Sequence, residues 1–106
     1  MDRWVAVVTG ASSGIGAAVA RALAREGVHV ALAARRESAL LDVQAGLEGR
    51  GDRVRSMVAA TDVADRDQVK ALVARTEVEL GPVDVLVNCA GVMYYTLEEV
   101  PKYTTP

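Results

Sequence analysis

An apolar run, Trp4-Val5-Ala6-Val7-Val8, leads directly into Thr9-Gly10-Ala11-Ser12-Ser13-Gly14-Ile15-Gly16, and an amphipathic segment follows. Few folds accommodate that order. The run predicts a buried strand, the glycines a sharp turn, and the segment beyond a helix whose first turn leaves backbone N–H groups without intrahelical partners. Gly10 lets the chain turn abruptly. Gly14 and Gly16 remove side chains that would keep a phosphate from the backbone. Free amides and the positive end of a helix dipole then face an anion, as a dinucleotide pyrophosphate requires.

Strand and helix patterns alternate along the rest of the chain. Gly14 to about Glu26 reads as a helix with Ile15, Val19, Ala22 and Leu23 on its inward face, and Gly27 stands where a C-cap glycine belongs. Val28 to Ala33 reads as a second strand, and about Glu37 to Leu47 as a helix burying Leu40, Val43 and Leu47. Arg53 to Ala59 reads as a third strand. Asp65 reads as the N-cap of a third helix with Val69, Leu72, Val73 and Leu80 inward, ended by Gly81-Pro82, and Val83 to Val87 as a fourth strand. This βαβαβαβ series predicts an α/β fold: an incomplete, Rossmann-like, doubly wound parallel sheet of strand order 3-2-1-4. Its ligand crevice is expected between the first and fourth strands. Residues 1–92 form the dinucleotide-binding domain in this reading. Residues 93–106, with two prolines and no usable periodicity, form an irregular tail.

Composition narrows the class further. In 106 residues, 51% are hydrophobic and 4% aromatic, with no Phe, so the core falls to Val, Leu, Ile and Ala, as in a sheet covered on both faces. A net charge of −2 without a basic run argues against nucleic acid as a main partner. Cys89 is the only cysteine, so an internal disulfide is impossible. It reads as a small buried hydrophobe. With no run approaching a membrane span and no signal-peptide pattern, a cytoplasmic location without membrane association is expected. His29, the only histidine, lacks neighbours at metal-ligand spacing, and no metal site is predicted.

Three motifs together resemble the N-terminal part of the short-chain dehydrogenase/reductase family. Thr9 to Gly16 matches that family's Thr-Gly-x-x-x-Gly-x-Gly turn. Asp62-Val63 matches its Asp followed by an apolar residue after the third strand. Asn88-Cys89-Ala90-Gly91 matches its Asn-Asn-Ala-Gly, departing at Cys89. The resemblance covers about residues 3 to 97 and implies hydride transfer between a nicotinamide and a carbonyl or alcohol, with a small carbonyl or alcohol as substrate. It places Gly10, Ser12, Ser13, Gly14, Ile15 and Gly16 at the cofactor phosphates. Asp62 falls at the adenine amino group, Val63 against the ring, and Asn88, Ala90 and Gly91 beneath the nicotinamide ribose. The simpler alternatives remain open: Ser12 and Ser13 as turn residues, and Asp62 as a cap of the third helix.

Cofactor choice turns on the end of the second strand. An acidic side chain there accepts hydrogen bonds from the ribose of NAD. Here stand Ala34, Arg35 and Arg36. A guanidinium fork suits a 2'-phosphate, so NADP(H) is favoured over NAD(H), Arg35 ahead of Arg36. The alternative is a solvated cationic pair at a helix entrance. The absent acid also speaks against a methyltransferase-type nucleotide fold.

No catalytic residue carries over. The family's Tyr-x-x-x-Lys set has no match: Glu98 and Glu99 stand four residues after Tyr94 and Tyr95. The chain is therefore expected to be a truncated, inactive cofactor-binding part of an oxidoreductase. The alternative is a non-catalytic dinucleotide-binding module. An exposed apolar fourth strand predicts self-association.

Overall fold

The computed structural model describes residues 4–12, 14–47 and 54–89, and the structural statements below concern those residues. The tail expected over 93–106 lies outside them. The described elements are β1 (Val5–Thr9), α1 (Gly14–Arg25), β2 (His29–Ala34), α2 (Glu37–Ala45), β3 (Ser56–Ala60), α3 (Arg66–Glu79) and β4 (Val85–Asn88). The strands form one parallel sheet of order β3-β2-β1-β4, as the alternating pattern predicts. Registers pair Val7 with Ala31 and Leu86, and Ala31 with Met57, so the strands' C-terminal ends gather along one edge.

Because successive strand side chains face opposite sides, the sheet buries two clusters. Val5, Val7, Ala31, Ala33, Met57 and Leu86 meet Leu72 of α3 on one face. Val8, Val30 and Leu32 meet Ala17, Ala20 and Ala24 of α1 and Leu40 and Val43 of α2 on the other. Helices thus cover both faces, and the strands read as continuous apolar runs for that reason.

Several element ends carry identifiable caps. The Asp65 carboxylate accepts from the N–H groups of Asp67 and Gln68 and starts α3. Val28 N–H donates to Leu23 O around Gly27, closing α1 in a Schellman-type turn. The Asp84 carboxylate accepts from Val5 N–H at 2.9 Å, tying the entry of β4 to the start of β1. His29 Nδ1 accepts from Arg55 N–H at 2.9 Å. The single histidine is therefore a brace between β2 and the segment entering β3.

Three sequence expectations need correction. The buried stripe of α1 is Gly16, Ala17, Ala20 and Ala24. Ile15 is 77% exposed and Ala22 is exposed, so neither faces the core, and only Leu23 of the larger expected residues packs against it as a partly buried neighbour. Small residues win that face because the helix backbone lies close to the sheet. Ile therefore contributes nothing to a core that is otherwise Val, Leu and Ala, as expected, with Met57 added. In α3, Thr76 is fully buried where the apolar pattern skipped it, and its hydroxyl donates to Leu72 O at 2.7 Å. Strand ends shift by one to three residues: β2 runs to Ala34, β3 begins at Ser56, and β4 begins at Val85 and includes Asn88.

Candidate functional site

The site is built where β1, β2 and β3 end. Beyond β1, Gly10 and Gly14 adopt positive φ of 65° and 55°. The intervening turn is fastened to its neighbour by Ala11 N–H donating to Ala33 O at 3.1 Å. Thr61 N–H donates to Ala34 O at 2.7 Å, holding the exit of β3 against the exit of β2 in the same way. Three strand exits are thus locked side by side by backbone bonds that any sequence could make. The side chains they present carry the distinctive chemistry.

The glycines have separate tasks. A Cβ on Gly16 would lie 2.0 Å from Gly10 O and 2.7 Å from Gly10 C. The bare Cα of Gly16 therefore lets α1 back against the β1 turn, a steric job within the chain that sequence reading assigned to phosphate approach. A Cβ on Gly14 would meet nothing within 4 Å, so its need for glycine is conformational, and the space before it is open.

Next to this turn opens a cleft of about 410 Å³ lined by Gly10, Ser12, Ala34, Arg35, Arg36, Thr61 and Val63. That volume lies within the usual range for small-molecule sites. Its walls come from the ends of β1, β2 and β3. Arg35 and Arg36 follow β2 directly, both exposed, and Arg36 occupies the N-cap of α2 without a side-chain cap bond. The charge on the cleft's own lining is thus cationic, with no carboxylate among the lining residues.

Asp62 stands just outside. Its Oδ1 lies 3.5 Å from Arg35 Nη2 and accepts from Ala64 N–H at 3.0 Å. Its own N–H donates to Gln68 Oε1 at 2.8 Å, and Gln68 Nε2 donates to Asp65 Oδ2 at 3.2 Å. Asp65 makes the cap of α3, and Asp62 holds the turn before it.

At the other end of the edge, Asn88 closes β4. The buried Thr9 hydroxyl lies 3.3 Å from Asn88 Oδ1 and 3.4 Å from Val87 O, and donates across from β1 to β4. Cys89 is half-buried against the core, and its N–H donates to Thr9 O at 3.2 Å. The structure thus brings Gly10, Ser12, Arg35, Arg36 and Val63 to one cleft, with Gly14, Ile15 and Gly16 at the adjoining start of α1 and Asp62 at the rim. Asn88 stands apart at β4. Ser13, Ala90 and Gly91 lie outside the described residues. Sequence reading missed Thr61, which lines the cleft, and Thr9, which positions Asn88. Their place at strand exits was the available signal.

No helix among the described residues is long and apolar enough to cross a membrane. No group of three or more His, Cys, Asp or Glu among them is arranged to hold a metal ion.

A parallel sheet of order 3-2-1-4 with a glycine turn after its first strand is the topology of the doubly wound nucleotide-binding folds. The short chain dehydrogenase model matches residues 4–104, and the chain belongs to that family. Glycine betaine reductase ATRR of Emericella nidulans is 62% identical over 93 residues, covering 88% of this chain and 7% of that protein. Among solved structures, actinorhodin polyketide ketoreductase with NADPH superposes with a TM-score of 0.76 at 44% identity, covering 84% of this chain and 33% of the other. An alcohol dehydrogenase from the archaeon Thermococcus sibiricus, complexed with 5-hydroxy-NADP, gives a TM-score of 0.75 at 40% identity over 92% of this chain and 41% of that one. The chain therefore spans less than half the length of each.

Proposed function

We propose that this chain forms the cofactor-binding part of an NADP(H)-dependent oxidoreductase that transfers hydride between a nicotinamide and a small carbonyl or alcohol. The observation that carries the reading is the pair Arg35 and Arg36 on the lining of the cleft, with Ala34 where a ribose-binding acid would stand. A bare ribose hydroxyl offers these guanidinium groups nothing specific, whereas a 2'-phosphate accepts from both. NADP(H) in the solved relatives supports the same choice.

The residues fit the cofactor in sequence along the edge. The open space before Gly14, the amides of the β1–α1 turn and the Ser12 hydroxyl suit the pyrophosphate. Exposed Ile15, at the first turn of α1, offers an apolar wall there instead of a core contact. Val63 suits a face of the adenine ring, and Asp62 its amino group. Asn88, held by the Thr9 hydroxyl, suits the nicotinamide ribose. When bound, NADP(H) supplies the hydride carrier; the chain's own residues bind and orient it. The ketoreductase among the solved relatives favours carbonyls as the substrate class. A cytoplasmic location accords with this reading.

Arg35→Asp tests it. In a fluorescence titration, the substitution is expected to weaken NADPH at least tenfold and to improve NADH relative to it. An unchanged preference refutes the phosphate assignment.

A further inference from the structure

We propose that Asp62 is a positioning residue for Arg35, and that it sets how strongly the cleft distinguishes a 2'-phosphorylated adenosine from an unphosphorylated one. The inference rests on the reading of Arg35 as the phosphate-recognising cation.

Arg35 is a long side chain at a strand exit, with 77% of its surface exposed. Left alone, such a side chain samples many rotamers, and a ligand that immobilises it pays that entropy. Asp62 restrains it at 3.5 Å. The carboxylate itself is well placed to do so, because the backbone around it is fixed at both ends. Ala64 N–H donates to Oδ1, and Asp62 N–H donates to Gln68 Oε1. Gln68 in turn donates to Asp65, the cap of α3. A continuous polar chain thus runs from the start of α3 to a guanidinium on the lining of the cleft. Its contact with Arg35 runs through Nη2, and a guanidinium carries five N–H donors, so donors remain for a phosphate.

An exposed pair of this kind is weak. The effect is correspondingly modest: a change of about three- to fivefold in discrimination rather than loss of binding. Asp62 also repels an incoming phosphate, which opposes the restraint. At this exposure water screens that longer-range term more than the contact with Arg35, so the restraint wins.

The test is a double-mutant cycle on the 106-residue chain, read as the ratio of Kd for adenosine 5'-monophosphate to Kd for adenosine 2',5'-bisphosphate. Any contact of Asp62 with the adenine weakens both ligands alike and cancels in the ratio. Asp62→Asn is expected to lower the ratio three- to fivefold while Arg35 is present, to leave it unchanged in an Arg35→Ala background, and Asp62→Glu to restore part of it. An unchanged or raised ratio in Asp62→Asn, or an equal drop with and without Arg35, overturns the proposal. A different result marks failure of the underlying reading: a ratio near one in the unmodified chain, or one that Arg35→Ala does not move.

Discussion

Replacing Gly16 by alanine pits two effects against each other, and the structure decides the sign. Alanine has the higher helix propensity, worth up to about 1 kcal/mol. Its Cβ, however, would stand 2.0 Å from Gly10 O, 2.7 Å from Gly10 C and 3.1 Å from Ala11 Cα. The shortest of these is about 1.4 Å inside ordinary contact at 3.4 Å, and all three neighbours are backbone that cannot swing aside. Relief requires α1 to move off the β1 turn, opening its packing of Ala17, Ala20 and Ala24 on the sheet. Overpacking of this kind costs about 1–3 kcal/mol, here at the upper end because no side chain can yield. The net expectation is a loss of about 2 kcal/mol, or roughly 10 °C in Tm for a domain this size. In urea, followed by circular dichroism, the midpoint should fall by about 1 M. Gly14→Ala, which meets no atom, is limited to the strain of its left-handed backbone, about 1–2 kcal/mol. An unchanged or raised midpoint for Gly16→Ala, or a larger loss for Gly14→Ala, refutes the steric argument.

Other substitutions separate structural from binding roles. Asp65→Ala removes the cap of α3 and should lower stability by about 1 kcal/mol in the same urea assay, with nucleotide affinity little changed. Thr9→Val deletes the hydroxyl shared by Asn88 Oδ1 and Val87 O and should cost about 1 kcal/mol. Thr76→Val is its contrast: Leu72 O keeps its helical N–H partner, so loss of the extra hydroxyl should be neutral or stabilising. β4 has β1 as its one strand neighbour among the described residues, and association through it should appear as a concentration-dependent mass in light scattering. A constant monomer mass at high concentration excludes it.

The sheet order and the strand exits were legible in the sequence because parallel strands buried on both faces write themselves as unbroken apolar runs. The same signal failed on α1. Pattern reading weights Ile, Val and Leu, so it turned Ile15 inward, whereas close approach selected Gly16, Ala17, Ala20 and Ala24. Thr76 was hidden because a threonine that satisfies its hydroxyl within its own helix packs like valine. At the site, the residue types after β1, β2 and β3 were visible, but the link from Arg35 through Asp62 to Gln68 joins residues distant in sequence and needs the fold. The two tasks of Gly14 and Gly16 also looked identical until the position of Gly10 O distinguished them.

Calorimetric titration of the unmodified chain with NADPH and with NADH addresses the central claim most directly. The account predicts one-to-one uptake of NADPH, at least tenfold tighter than NADH. Equal or tighter binding of NADH, or no heat from either nucleotide with folded protein, contradicts it.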